Sequence, residues 1–193
     1  MTRPATWGAR AALLALLPLA ACARTEQVAD NTMAQGQAMV QAQTNPTLST
    51  SDAYFIDQAA RSGLAEVQEG ALAEQRAARA DVRSFARSMV ADHGKVNDAL
   101  TALARQKQIA PPTTPNDAQQ TMIGQLQGLT GATFDRQYLD QQVTMHQSAV
   151  SLFRTEAAQG TDPQVKAFAA RMLPELEHHL DMAEQLGGHT PTT

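Results

Sequence analysis

The chain holds a single cysteine, Cys22, among 193 residues, which excludes an intrachain disulfide framework and a cysteine-rich zinc knuckle. Aromatic residues make up only 4%, too few for an all-β fold built on β-branched and aromatic side chains. Basic residues number 15 against 19 acidic, for a net charge of −4. That balance leaves no basic stripe for sequence-independent nucleic-acid binding. There is no Gly-x-Ser-x-Gly elbow and no Walker loop, so triad hydrolysis and nucleotide chemistry have nothing to rest on. No apolar run reaches the roughly 20 residues that a bilayer-spanning helix needs.

The longest apolar run, Ala11 to Leu19, follows Arg3 and Arg10 and ends in Leu19-Ala20-Ala21-Cys22. A charged start, an apolar middle and a small-residue end make residues 1–21 a secretory signal. Its last four residues resemble the lipobox of bacterial lipoproteins, with Cys22 at the position that receives lipid. Acylation there would anchor an otherwise soluble protein, each buried methylene contributing about 0.8 kcal/mol. Ala23, where an Asp would retain the protein at the inner membrane, implies by the same resemblance an outer-membrane lipoprotein facing the periplasm. Residues 22–51 are rich in Gln, Thr, Asn and Ala without an apolar stripe, and are expected to be a flexible tether.

From Ser51 onward the pattern is helical. Asp52 is the expected cap of a helix to about Arg79, and Asp81 of a second to about Gln108. Pro111-Pro112-Thr113-Thr114-Pro115 is a break. A third helix restarts at Asn116 or Asp117, is interrupted near Gly128–Gly131 and runs to about Gln159. Gly160 is expected to close it in a left-handed conformation. Asp162-Pro163 reads as cap and first-turn proline of a fourth helix, which Gly187-Gly188 ends. Residues 188–193 form a tail. No segment alternates like a strand. The fold class that follows is all-α: an up-and-down four-helix bundle over residues 52–187 with a broken third helix.

At 100° per residue, Val82, Phe85, Met89, Val96, Leu100 and Leu103 form one stripe, and His93 falls within it. Leu139, Val143, Val150 and Phe153 form another, whose gap His146 fills. His179 lies on the stripe of Val165, Phe168, Met172, Leu176, Ala183 and Leu186, while His178 projects away from it. In the first helix Glu66 lies between Ser62 and Gly70 on a lane from Phe55 to Ala77. A competing lane through Ile56, Ala60, Val67 and Ala71 leaves its orientation open. Counted from the turns, Glu66 and His93, and likewise His146 and His179, differ in height by roughly 5 Å or less. Four helices thus contribute one polar layer to an apolar interior. Such a layer is costly unless its members are paired or bound. Three imidazoles and a carboxylate suit a divalent transition metal such as iron, zinc, manganese or copper. The same residues also suit a satisfied Glu–His network without metal. Asp92, Asp135, Tyr138 and Glu175 are the candidate supporting residues around the layer. Methionines such as Met89, Met145, Met172 and Met182 read as core filler rather than copper ligands.

Ala65-Glu66-Val67, Met89-Val90-Ala91-Asp92-His93, Gly131-Ala132-Thr133-Phe134-Asp135-Arg136-Gln137-Tyr138, His146, and Leu173-Pro174 with His179 occur in that order. Together they resemble the ferritin-like domain-of-unknown-function 4142 family, labelled predicted outer membrane protein. The resemblance implies a ferritin-like four-helix fold and an envelope location, and supplies no activity. The broader ferritin-like group implies di-iron or di-manganese chemistry, which wants a Glu-x-x-His pair on each of two helices. Here Val90, Val143 and Leu176 stand three residues before His93, His146 and His179, so ferroxidase or catalase activity is not carried over. Three readings follow: a tethered bundle with a metal or Glu/His centre, a non-catalytic envelope scaffold whose polar layer fixes helix register, and a metal-dependent oxidoreductase.

Overall fold

The structure, a computed structural model, describes residue 32, residues 35–40 and residues 48–188. The signal segment, Cys22 and the tail after Gly188 lie outside the described residues. Among these, a short helical stretch α1 (35–40) precedes α2 (Thr50–Arg76), α3 (Ala80–Gln106), α4 (Asp117–Gln127), α5 (Gly131–Gln159) and α6 (Pro163–Gly187). None of these helices is long and apolar enough to cross a membrane.

Residues within the stretch expected to be tether are part of the fold. Ala38 and Leu48 are buried in the core, and Gln37 accepts a hydrogen bond from Arg61 at 3.0 Å. Small and single apolar residues carry no periodic stripe, so this packing left no pattern in the sequence.

The helix ends follow local capping chemistry, with shifts of a few residues. Ser49, not Asp52, caps α2, and Asp52 is the partner that completes a capping box. Asn116 and Gln119 make the same box on α4. Arg79 occupies the cap of α3 without a side-chain bond, placing Asp81 in the first turn. Asp162 caps α6, Pro163 follows it, and Gly188 closes the helix in the left-handed region at φ 72°. Gly160 departs from expectation: it is extended, at φ −53° and ψ 142°. Its missing Cβ is what matters, because a Cβ there would collide with the carboxyl and carbonyl of Glu156.

Two hairpins, α2–α3 and α5–α6, pack face to face. Phe55 meets Phe153 with ring centroids 4.9 Å apart, while Ala77 pairs with Gly131 at the other end, so α2 and α5 are antiparallel. Lys107 bonds Asp162 and Arg79 bonds the Leu186 carbonyl, so α3 and α6 are antiparallel too. α3 and α5 therefore run the same way. Loop 107–116 and α4 bring the chain back along α2, the single long crossover of ferritin-like bundles. The break at Gly128–Thr130 separates two helices that fold back on each other, with Gln141 of α5 donating to the Met122 carbonyl of α4.

Each hairpin turn is held by an aspartate of the opposite hairpin. Asp135 of α5 accepts from the backbone N–H of Ala78 and Arg79 at 2.8 and 2.9 Å. Asp52 of α2 accepts from Thr161 N, Thr161 Oγ1 and Asp162 N. Asp135, expected beside the polar centre, instead serves this turn, because both its oxygens are committed there. The apolar core falls into two large clusters. One surrounds Phe55, Leu100, Phe153 and Phe168, and the other Phe85, Phe134, Tyr138 and Leu139. Each fully buried Phe contributes on the order of 2–3 kcal/mol. What separates the two clusters is polar.

A candidate metal centre between the two cores

The separating layer consists of Glu66 from α2, His93 from α3, His146 from α5 and His179 from α6, exposed to 1, 2, 0 and 3%. The structure brings all four sequence candidates together. Glu66 resolves the two-lane ambiguity of its helix: α2 packs against α3, α4 and α5, so both lanes are covered and most of the helix is interior.

The hydrogen bonds set the direction of each ring. His93 Nδ1 lies 2.8 Å from Glu66 Oε2. His146 donates from Nδ1 to the Gln142 carbonyl at 2.9 Å, with Glu66 Oε1 3.8 Å away. His179 Nε2 lies 3.5 Å from Asp92 Oδ2. The opposite ring nitrogens, His93 Nε2, His146 Nε2 and His179 Nδ1, are buried without a partner. One atom from each ring falls within 4.8 Å of the others. A ring nitrogen whose neighbour carries the bonded proton holds a free lone pair, the arrangement that outer hydrogen bonds create at metal-binding histidines. Glu66, expected as a ligand, therefore stands mainly on the outer side of His93, with Oε1 still unpartnered.

The ring spacing tests the fit. With Zn–N near 2.05 Å and about 1.15 Å from nitrogen to ring centre, tetrahedral ligation places imidazole centres about 5.2 Å apart, and a right-angled octahedral face about 4.5 Å. The observed separations are 5.4, 5.3 and 5.6 Å. These separations lie nearer the four-coordinate value than the octahedral one.

Electrostatics act in the same direction for two rings. Burial, reinforced by the neighbouring imidazoles, lowers His179 to about 4. Burial also lowers His146 against the pull of Glu66. Both are held neutral, as ligation requires. For His93 burial works downward, but Glu66 outweighs it and raises the ring. Glu66 is the counterpart: burial pushes its carboxyl up, and His93, then His146, bring it net downward.

Sequence reasoning missed Glu69 and Gln142. Glu69 is fully buried and accepts from Gln142 Nε2 at 2.8 Å. Burial and the charge of Glu66 push it up to about 8. Glu69 Oε1, Gln142 Oε1 and Tyr138 Oη have no partner. The raised value keeps Glu69 largely protonated at neutral pH. The signal was the Glu66-x-x-Glu69 spacing on one helix face. Tyr138 is raised well above its usual value by burial and by Glu69, a structural phenol rather than a ligand. Of the remaining supporting candidates, Asp92 and Glu175 lie beside His179.

These observations define a class: an all-α bundle of ferritin-like topology with a buried histidine cluster between its hairpins. The chain belongs to the family described as domain of unknown function (DUF4142), whose profile matches residues 28–186. Two solved structures share the fold. One, from Streptomyces coelicolor, is a DUF305 protein described as secreted, at 16% identity and TM-score 0.62, covering 74% of this chain and 96% of its own. The other is a conserved hypothetical protein from Mycobacterium tuberculosis, at 13% identity and TM-score 0.56, covering 75% and 95%. No curated protein matches.

Proposed function

We propose that this protein binds one divalent transition-metal ion at His93, His146 and His179. The observation that carries the reading is the set of three buried, partnerless ring nitrogens on imidazoles spaced 5.3–5.6 Å apart. A four-coordinate site with three imidazole nitrogens favours zinc or copper over manganese, which prefers oxygen donors and octahedral geometry. When bound, the ion is a Lewis acid or, for copper or iron, an electron carrier. The chain's own residues do the positioning: Glu66 and the Gln142 carbonyl fix the His93 and His146 rings, and Asp92 faces the outer nitrogen of His179. Glu66 Oε1 is a further oxygen near the rings without a hydrogen bond.

The location we propose is the cell envelope, with export directed by residues 1–21 and a lipid anchor on Cys22. Its support is the Leu19-Ala20-Ala21-Cys22 end of the leader, together with a fold shared with a protein described as secreted. Mass spectrometry of the membrane-extracted protein tests this. A diacylglyceryl-modified Cys22 at the new N-terminus is expected, and an unmodified or intracellular chain refutes it.

The competing reading is a metal-free network centred on the 2.8 Å Glu66–His93 pair, with the bundle acting as scaffold. Elemental analysis after incubation with zinc and gel filtration separates the two. The metal reading expects about one equivalent, falling below about a tenth in His146→Ala. Less than a tenth in the unaltered protein supports the network.

A further inference from the structure

The α5–α6 turn holds a carboxyl pair that the proposed metal site does not use. Glu156 of α5 is 4% exposed and Asp52 of α2 is fully buried, and the two side chains are in hydrogen-bond contact. We propose that the folded protein keeps one proton between Glu156 and Asp52, and that its release opens this turn. The pair is then a pH-sensitive latch between α2 and the α5–α6 hairpin.

Counting donors carries it. Ionised carboxylates only accept, so two of them bond to each other only when one keeps its proton. Asp52 is the ionised partner, because its oxygens accept from Thr161 N, Thr161 Oγ1 and Asp162 N, and from Ser49 N in the capping box. Burial works upward on Asp52, but the Thr161 and Ser49 bonds outweigh it and bring the group down to about 2. Glu156 is left to carry the proton. Its Oε1 is buried without a partner and lies against Gly160, where a Cβ would come within 2.2 Å of it. Burial first, then the bond to Asp52 and the charges of Asp52 and Asp162, push Glu156 up to about 8. The cations at this end are engaged elsewhere: Lys107 bonds Asp162, and Lys166, which opposes the rise, bonds the Ala158 carbonyl at 2.9 Å. Without the proton, two negative charges meet in a buried contact walled by the Gly160–Asp162 backbone. Withdrawing that backbone admits water and relieves the repulsion. The bonds from Thr161 and Asp162 to Asp52 are what such a movement breaks.

The test is amide hydrogen exchange of the purified protein, with chelator present, read by NMR at Thr161 and Asp162 and corrected for the intrinsic effect of pH on exchange. An open turn binds the proton as an ordinary carboxyl does, near 4.5, so opening becomes easier as pH rises from there and levels off above 8. The opening equilibrium at these two amides is expected to rise roughly fiftyfold between about pH 5.5 and 7.5. The amides of Ala78 and Arg79, bonded to Asp135 at the other turn, should stay within about fivefold. Glu156→Gln keeps the size and a donor without the charge, and should abolish the pH dependence at Thr161 and Asp162. A flat profile in the native protein, the same slope in Glu156→Gln, or an equal rise at both turns overturns the proposal. Carbon-13 carboxyl NMR of the native protein reads the proton directly and needs no variant. A Glu156 midpoint near 8 supports the latch, and one below about 5.5 refutes it.

Discussion

Replacing Glu69 by Gln tests the electrostatics of the interior most sharply. Burial beside Glu66 holds the Glu69 carboxyl at about 8, against 4.5 in an open chain. Between those values the folded protein holds a proton that the unfolded chain releases, so this group's stabilisation is complete below 4.5 and is lost as pH rises through 8. The difference corresponds to about 3 kcal/mol at pH 7 and nearer 5 kcal/mol at pH 9. Gln keeps the size and a donor without the charge. Urea unfolding of both proteins from pH 5 to pH 9, with chelator present, measures the difference in stability. The histidine contributions are common to both and cancel. The variant is expected to match the native protein near pH 5 and to exceed it by on the order of 3–5 kcal/mol at pH 9. A difference that stays flat with pH refutes the assignment of a neutral acid at Glu69.

Asp52→Ala and Asp135→Ala each strand two or more backbone N–H groups at a hairpin turn. Each is expected to cost about 2–3 kcal/mol in chemical denaturation, and the double variant the sum within about 0.5 kcal/mol, because they act at opposite ends. A Cβ at Gly70 would approach Val90 Cγ2 to 2.9 Å and the Ala86 carbonyl to 3.2 Å. Gly70→Ala should therefore lower stability by about 1–3 kcal/mol, and a thermal melt at or above the native value contradicts this close approach of α2 and α3. His179 is depressed to about 4 from 6.5, so the unfolded chain takes its proton first as pH falls. The metal-free protein is expected to lose on the order of 2 kcal/mol between pH 6.5 and 4 from this ring, and His179→Phe to lack that component in acid titrations of stability.

The helical interior was legible because the inner stripes of α3, α5 and α6 are uninterrupted and each holds one histidine at a matching height. Loop breakers marked the turns near 111–115, 128–131 and 160–163 but not the α2–α3 turn at 77–79, and Asp162-Pro163 located a helix start to the residue. What escaped the sequence shares a cause, which is burial on more than one side. α2 is covered by three helices, so it shows no clean stripe, and nothing singled out Glu69. Ala38 and Leu48 pack singly, leaving no period to detect. Asp135 was assigned to the wrong neighbourhood because a cap supplied from another helix has no local signature. The division of labour in the polar layer depends on ring direction. Hydrogen bonds of His93 to Glu66 and of His146 to the Gln142 carbonyl set that direction, and spacing along a helix does not encode it.

The visible absorption of the cobalt(II)-loaded protein tests the central claim most directly, because band intensity distinguishes four-coordinate from six-coordinate ions. Imidazole centres 5.3–5.6 Å apart predict the intense bands of a four-coordinate site at one equivalent, lost in His146→Ala. A pale six-coordinate spectrum, or one that His146→Ala leaves unchanged, contradicts it.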